Sequence, residues 1–90
     1  MKVKPYSGAS NKRYTAVFAD GKIVHFGLAG GSTYIDHKNK DKRAAYIARH
    51  KVNEDHNNPK TAGALSRHLL WGDHTSLRAN ITAFKRRFGL

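Results

Sequence analysis

The sequence predicts an α+β domain, and two regions at opposite ends of the chain carry that prediction. Near the N-terminus, two short runs rich in aromatic and β-branched residues, Arg13 to Phe18 and Ile23 to Phe26, are separated by Ala-Asp-Gly-Lys. Such runs around an Asp-Gly pair read as a β-hairpin. Near the C-terminus, Leu77, Ile81, Phe84 and Phe88 recur at spacings of four, three and four residues, which puts them on one face of a helix. Strands first and helices after is the pattern of a hairpin, or of a sheet of three short strands, packed on about three helices.

Taken in order, residues 1–11 hold Pro5, Ser7, Gly8 and Ser10 without periodicity. An irregular basic arm is expected there, followed by a single domain over residues 12–90. With Asp20 and Gly21 as the two turn residues, Phe18 would oppose Ile23, Val17 would oppose Val24 and Ala16 would oppose His25. Tyr14, Phe18 and Ile23 would then cover the helices. The glycines at 27, 30 and 31 lack the strand, helix and Lys-Ser/Thr context of a phosphate cradle and read as a turn. Ser32 to Asp36 reads as a third short strand through Tyr34 and Ile35.

From Asp41 to Val52 helix propensity is high, with Asp41 as the cap and Ala44, Ile47, Ala48 and Lys51 on one side. The small alanines suggest close packing against another element. Asn53 to Pro59 is a polar loop, after which Thr61 caps a short helix whose Leu65 and Leu69 share a face and which Trp71 ends. Gly72-Asp73-His74 turns the chain into the last helix. Thr75 caps that helix and Gly89 ends it, with Lys85, Arg86 and Arg87 near the negative end of its dipole. The last two helices form an αα-hairpin with facing apolar stripes.

Ninety residues support one modest core and no second. Without cysteine there is no disulfide framework and no thiolate metal site, and an intracellular setting is permitted. No apolar run approaches the roughly 20 residues that span a bilayer, and MKVKPYSG offers no secretory signal, so no membrane span is expected and the chain reads as soluble. Seventeen Lys and Arg against six Asp and Glu give a net charge of +11. A polyanion is the partner that such a balance implies. The charge is spread over three segments: Lys2 to Arg13, the six cations of Lys38 to Lys51, and Arg78 with Lys85 to Arg87.

Nothing in the sequence points to catalysis. His50 with His56 and His68 with His74 are six residues apart, not the three or four of one helical turn, so neither a metal site nor a cofactor is expected. The His and Asn cluster HKVNEDHNN lies between helices, where a His-Asn-His nuclease would need a hairpin followed by a helix. Glu54 and Asp55 adjoin in a loop without partners for acid and base roles, and Ser66 beside Arg67 and His68 lies inside a helix. No small-molecule substrate is evident. The informative signal is cations interleaved with aromatics: Arg13 with Tyr14, Arg43 with Tyr46, Arg67 with Trp71, and Phe84 to Phe88 with three cations. This composition suits phosphate contacts and base stacking. The candidate binding residues are Lys42, Arg43, Arg49, Lys51, Arg67, Arg78, Lys85, Arg86 and Arg87, while Phe18, Trp71, Phe84 and Phe88 are assigned to the core.

The segments YIARH at 46–50, TAGALSRHLLWG at 61–72 and FKRRFG at 84–89, with RYTAVFADGKIVHFG upstream, resemble a family of small basic proteins of unknown function. That family is encoded by large double-stranded DNA viruses of the chlorella-virus and mimivirus kind, and the resemblance covers Arg13 to Leu90. It implies a viral setting, in the virion or the host cell interior, and a non-enzymatic role, and it transfers no catalytic residues. Two readings follow. In the first, the domain binds DNA or RNA non-specifically in genome packaging or virion organisation. In the second, it is a minor capsid or cement protein that bridges acidic shell proteins, a role an extended N-terminal arm would serve. The absence of a base-reading motif argues against sequence-specific binding.

Overall fold

The computed structural model describes residues 1–50 and 57–90, and the fold is α+β. Three strands, β1 (Lys2–Pro5), β2 (Lys12–Val17) and β3 (Ile23–Leu28), form an antiparallel sheet in the order β1-β2-β3. The helices α1 (Tyr34–His37), α2 (Lys40–His50), α3 (Ala62–Leu65) and α4 (Leu77–Phe88) follow, and α3 runs on into a π-turn at Ser66–Leu70.

The expected arm is in part a strand. Val3 pairs with Ala16 and Pro5 with Tyr14, and Met1 and Val3 pack against the core. Alternation of Met1 and Val3 with Lys2 and Lys4 is what builds it, and Pro5 is tolerated because β1 lies at the sheet edge. Beyond the strand, Tyr6 donates to the Arg13 carbonyl (3.1 Å) and its ring meets His25 edge-on at 4.8 Å. The covered outer face explains why Thr15 is buried.

The hairpin register differs by one residue from the expected one. Val17 pairs with Ile23, Ala16 with Val24 and Tyr14 with Phe26. Phe18 donates to the Lys22 carbonyl (2.9 Å), leaving Ala19, Asp20 and Gly21 as a three-residue loop. Of these only Gly21 has positive φ (91°). A two-residue type I′ turn needs two such residues, whereas a type I turn closed by a left-handed glycine needs one. Ile23 therefore points to solvent and is 57% exposed, while Val24 and Phe26 join Tyr14, Ala16 and Phe18 on the helix-facing side.

Residues 32–36, expected as a strand, are instead the capping turn and start of α1. Asp36 accepts hydrogen bonds from the Thr33 backbone N–H (2.9 Å) and hydroxyl (2.7 Å), and this local pairing outcompetes the β-propensity of Tyr34 and Ile35. Arg13 then clamps the same carboxylate with two bonds, 2.7 and 2.8 Å. The Arg13 guanidinium, assisted by Thr33 and opposed by desolvation, holds the Asp36 carboxyl well below its ordinary range. A carboxylate whose folded pKa is depressed adds stability above the unfolded value of about 3.9. That contribution is lost as pH falls through the folded value. The Asp36→Asn variant is expected to lose part of the acid dependence of the melting temperature between about pH 5 and 2. The pair is partly exposed, so the change should be modest.

Asn39, not Asp41, caps α2: its side-chain oxygen accepts from the N–H groups of Asp41 (3.0 Å) and Lys42 (3.1 Å). Of the side expected to pack, Ala44 and Ala48 are exposed and Ile47 is half-buried, and α2 leans on the fold through Arg43, Tyr46 and His50 as well. Its expected extension to Lys51 and Val52 lies outside the described residues. Thr61 caps α3 as expected, accepting from Ala64 N–H (3.1 Å). The π-turn is a departure from the regular helix expected there. Trp71 donates to the Ser66 carbonyl (3.0 Å), and the wide turn accommodates Leu65, Leu69 and Leu70, all at most 1% exposed.

Ser76, one residue after the expected Thr75, caps α4 by accepting from Ala79 N–H (3.4 Å). Gly89 ends the helix at φ 66° as expected. Phe84 is 2% exposed and packs with Ala16, Phe18, Phe26, Leu65, Leu69 and Leu70, while Leu77, Ile81 and Phe88 flank this core. Among the described residues no helix is long and apolar enough to cross a membrane.

Candidate polyanion-binding surface

The turn after the π-helix is where three elements bring their cations together. Arg43 of α2 donates through Nε to the carbonyls of Trp71 (3.2 Å) and Gly72 (2.9 Å) and through a terminal nitrogen to Asp73 (2.6 Å). Arg67 of the π-turn donates to the same Trp71 carbonyl (2.9 Å). Arg87 of α4 and Arg67 line a cavity of about 80 Å³ together with His68, Asp73, His74 and Asn80. Burial, then the neighbouring Arg43, then Arg87 lower the Arg67 pKa, and the carboxylate of Asp73 offsets part of this. An arginine stays charged under such a shift. Among the described residues the cluster thus holds three guanidiniums with the Asp73 carboxylate among them, and positive charges gathered in this way repel one another.

Asn80, which sequence periodicity placed on no functional face, builds this turn. Its side chain is buried, donates to the carbonyls of Leu69 (3.0 Å) and His74 (2.9 Å), and accepts from the His74 N–H (3.0 Å). Gly72 lies so close beneath it that an added Cβ would stand 2.2 Å from the His68 carbonyl and 2.6 Å from the Asn80 side-chain oxygen. The sequence marks Gly72 as a turn residue and carries no sign of its approach to Asn80.

The expected binding residues divide accordingly. Arg43 and Arg67 are tied to backbone carbonyls and hold the turn as well as charging it. Arg87 faces the small cavity. Lys42 and Arg49 lie on another side of α2, bordering a separate groove with Ser32, His37, Ala45 and Trp71. On α4, Arg78 and Arg86 are exposed and Lys85 is half-buried, while Lys51 lies outside the described residues. Elsewhere, Arg13 and Lys60 pair with Asp36 and Asp20 respectively, so these two cations serve the fold.

Trp71, assigned to the core from sequence, is only half-buried. Its indole stacks parallel to Tyr46 at 4.2 Å and 3°. Tyr46 in turn stacks on His50 at 4.0 Å, and His37 tilts against Trp71 at 5.2 Å. The spacing of Tyr46 and His50 was visible in the sequence; their meeting with Trp71 depends on the π-turn. His68 is packed among Phe84 and Phe88 at 5.7 and 5.5 Å. Among the described residues no group of three or more His, Asp or Glu is placed to hold a metal ion. The His56, Glu54 and Asp55 side chains lie outside those residues.

A family described as a family of unknown function, DUF5754, matches residues 2–50, more than half of the chain. The chain belongs to that family. The matched part of this DUF5754 member contains the whole sheet, α1 and α2, and so includes Arg43, Tyr46 and the α2 cations but not Arg67, Trp71 or Arg87. No curated protein and no solved structure matches the chain.

Proposed function

We propose that this DUF5754 member binds nucleic acid non-specifically and catalyses no reaction. The observation that supports the reading best is the meeting of Arg43, Arg67 and Arg87 from three elements at one turn where, among the described residues, Asp73 is the carboxylate. The net charge of +11 acts in the same direction over the whole surface, drawing in a polyanion and releasing its counterions. The viral setting implied by the sequence resemblance fits this activity to genome packaging or virion organisation. The alternative cement role, a positive surface bridging acidic shell proteins, was favoured by an extended N-terminal arm, of which Lys2–Pro5 is the edge strand of the sheet.

The test is the salt dependence of binding to a labelled DNA duplex, compared between the wild type and a variant with Lys42, Arg49, Arg78 and Arg86 replaced by Gln. These four residues are exposed, so the variant should melt like the wild type. Each substituted phosphate contact is expected to lower the slope of log affinity against log salt by about 1. A variant with unchanged affinity and slope would remove these cations from the interface.

A further inference from the structure

A second feature of the same surface concerns the form of nucleic acid it takes. The groove of about 310 Å³ is bordered by Ser32 and His37 on one side, by Trp71, and by Lys42, Ala45 and Arg49 of α2. Its volume is at the low end of clefts that hold small ring systems. Lys42, Ala45 and Arg49 fall at spacings of three and four, one face of the helix. Ala45 is exposed and adds nothing beyond Cβ, so the space beside the indole stays open between two cations about 10 Å apart along the helix axis.

The indole wall is rigid. Tyr46 backs it with a parallel ring, and Arg43 and Arg67 both hold its carbonyl. His37 accepts from the Asn39 N–H at Nδ1 (2.9 Å), so the neutral ring carries its proton on Nε2. That nitrogen is the buried side-chain polar atom without a hydrogen-bond partner among the described residues. Being buried, Nε2 offers no bond to a ligand in the groove, and His37 contributes the packing of its ring against Trp71 instead.

Resting on the polyanion reading, we infer that this groove receives an unpaired base of single-stranded nucleic acid, stacked by Trp71 and flanked by phosphates on Lys42 and Arg49. Flat base faces and flanking negative charge match an aromatic wall between two cations. In a duplex those faces are already stacked on their neighbours, so the groove distinguishes single strands from duplexes without reading sequence.

Trp71 is the only tryptophan of the chain, so its emission reports this groove directly. The experiment titrates the full chain with an oligothymidylate strand, a duplex of equal length and inorganic polyphosphate, and repeats the strand titration with Ala45→Leu and Ala45→Ser. The strand is expected to quench Trp71 and polyphosphate is not. Leucine, which fills the groove at an exposed and helix-compatible position, should weaken strand binding about tenfold and leave duplex binding unchanged, while serine retains strand binding. Strand binding without a change in Trp71 emission, or unaffected by Ala45→Leu, would overturn the groove and leave the polyanion reading standing. Equal quenching by polyphosphate would reduce the groove to a charge effect and overturn base stacking. Failure of all three polyanions to bind would overturn both proposals.

Discussion

Replacing Phe84 with alanine is expected to lower the unfolding free energy by about 3–5 kcal/mol. The side chain is 2% exposed and sits where α4 meets the sheet and the π-turn, in one cluster with Ala16, Phe26, Leu65 and Leu69. Removing the ring takes away its transfer free energy and leaves a cavity that neighbouring leucines from a separate element can only partly fill. A small domain has about 5–15 kcal/mol in total, so the variant should unfold at a much lower urea concentration. Ile81→Ala, on the same stripe but partly exposed, should cost less. Arg86→Ala, on the solvent side, should shift stability by no more than about 0.5 kcal/mol. Equal urea midpoints for Phe84→Ala and Arg86→Ala would mean that α4 does not close the core.

The second large effect belongs to Asn80. Alanine there strips three hydrogen bonds from the Leu69 and His74 backbone at a residue that is 1% exposed. A buried polar group left without a partner costs about 1–3 kcal/mol, and water entering the small neighbouring cavity would recover part of this, so a loss of about 3 kcal/mol is expected. Asn80→Asp should fare little better, because it keeps an acceptor for the His74 N–H but presents a carboxylate to two carbonyls. Because the Trp71–His74 turn is what Arg43 and Arg67 hold, these variants should also weaken polyanion binding under conditions where they remain folded. Urea denaturation gives the first quantity and binding at low denaturant the second. A fully stable Asn80→Ala would show that the turn is held by Arg43 and Arg67 alone.

The parts of the fold that were legible in the sequence rest on long or local signals. The α4 stripe repeats over twelve residues, with Ser76 one position from the expected cap and Gly89 at the expected stop. Thr61 caps α3 by a contact three residues away. Where two local signals competed, the sequence alone was misleading. An Asp-Gly pair serves both two- and three-residue hairpin loops, and the choice moved Ile23 to the outside. Tyr34 and Ile35 favour a strand, but Thr33 and Asp36 form a capping turn that a remote residue, Arg13, stabilises. The arm concealed a strand because Pro5 reads as a breaker unless the segment is known to lie at an edge. The cations were legible as residues and not as an arrangement: which of them hold backbone carbonyls, and which stay free, depends on a π-turn without a sequence signature.

The most direct measurement is fluorescence anisotropy of a labelled single strand and a labelled duplex with the purified protein at about 50 and 200 mM salt. Several phosphate contacts predict affinity that falls by roughly 10³-fold or more between the two conditions. Binding that is weak at both salt concentrations, whichever strand type is used, would contradict a nucleic-acid-binding role and turn attention to acidic protein partners.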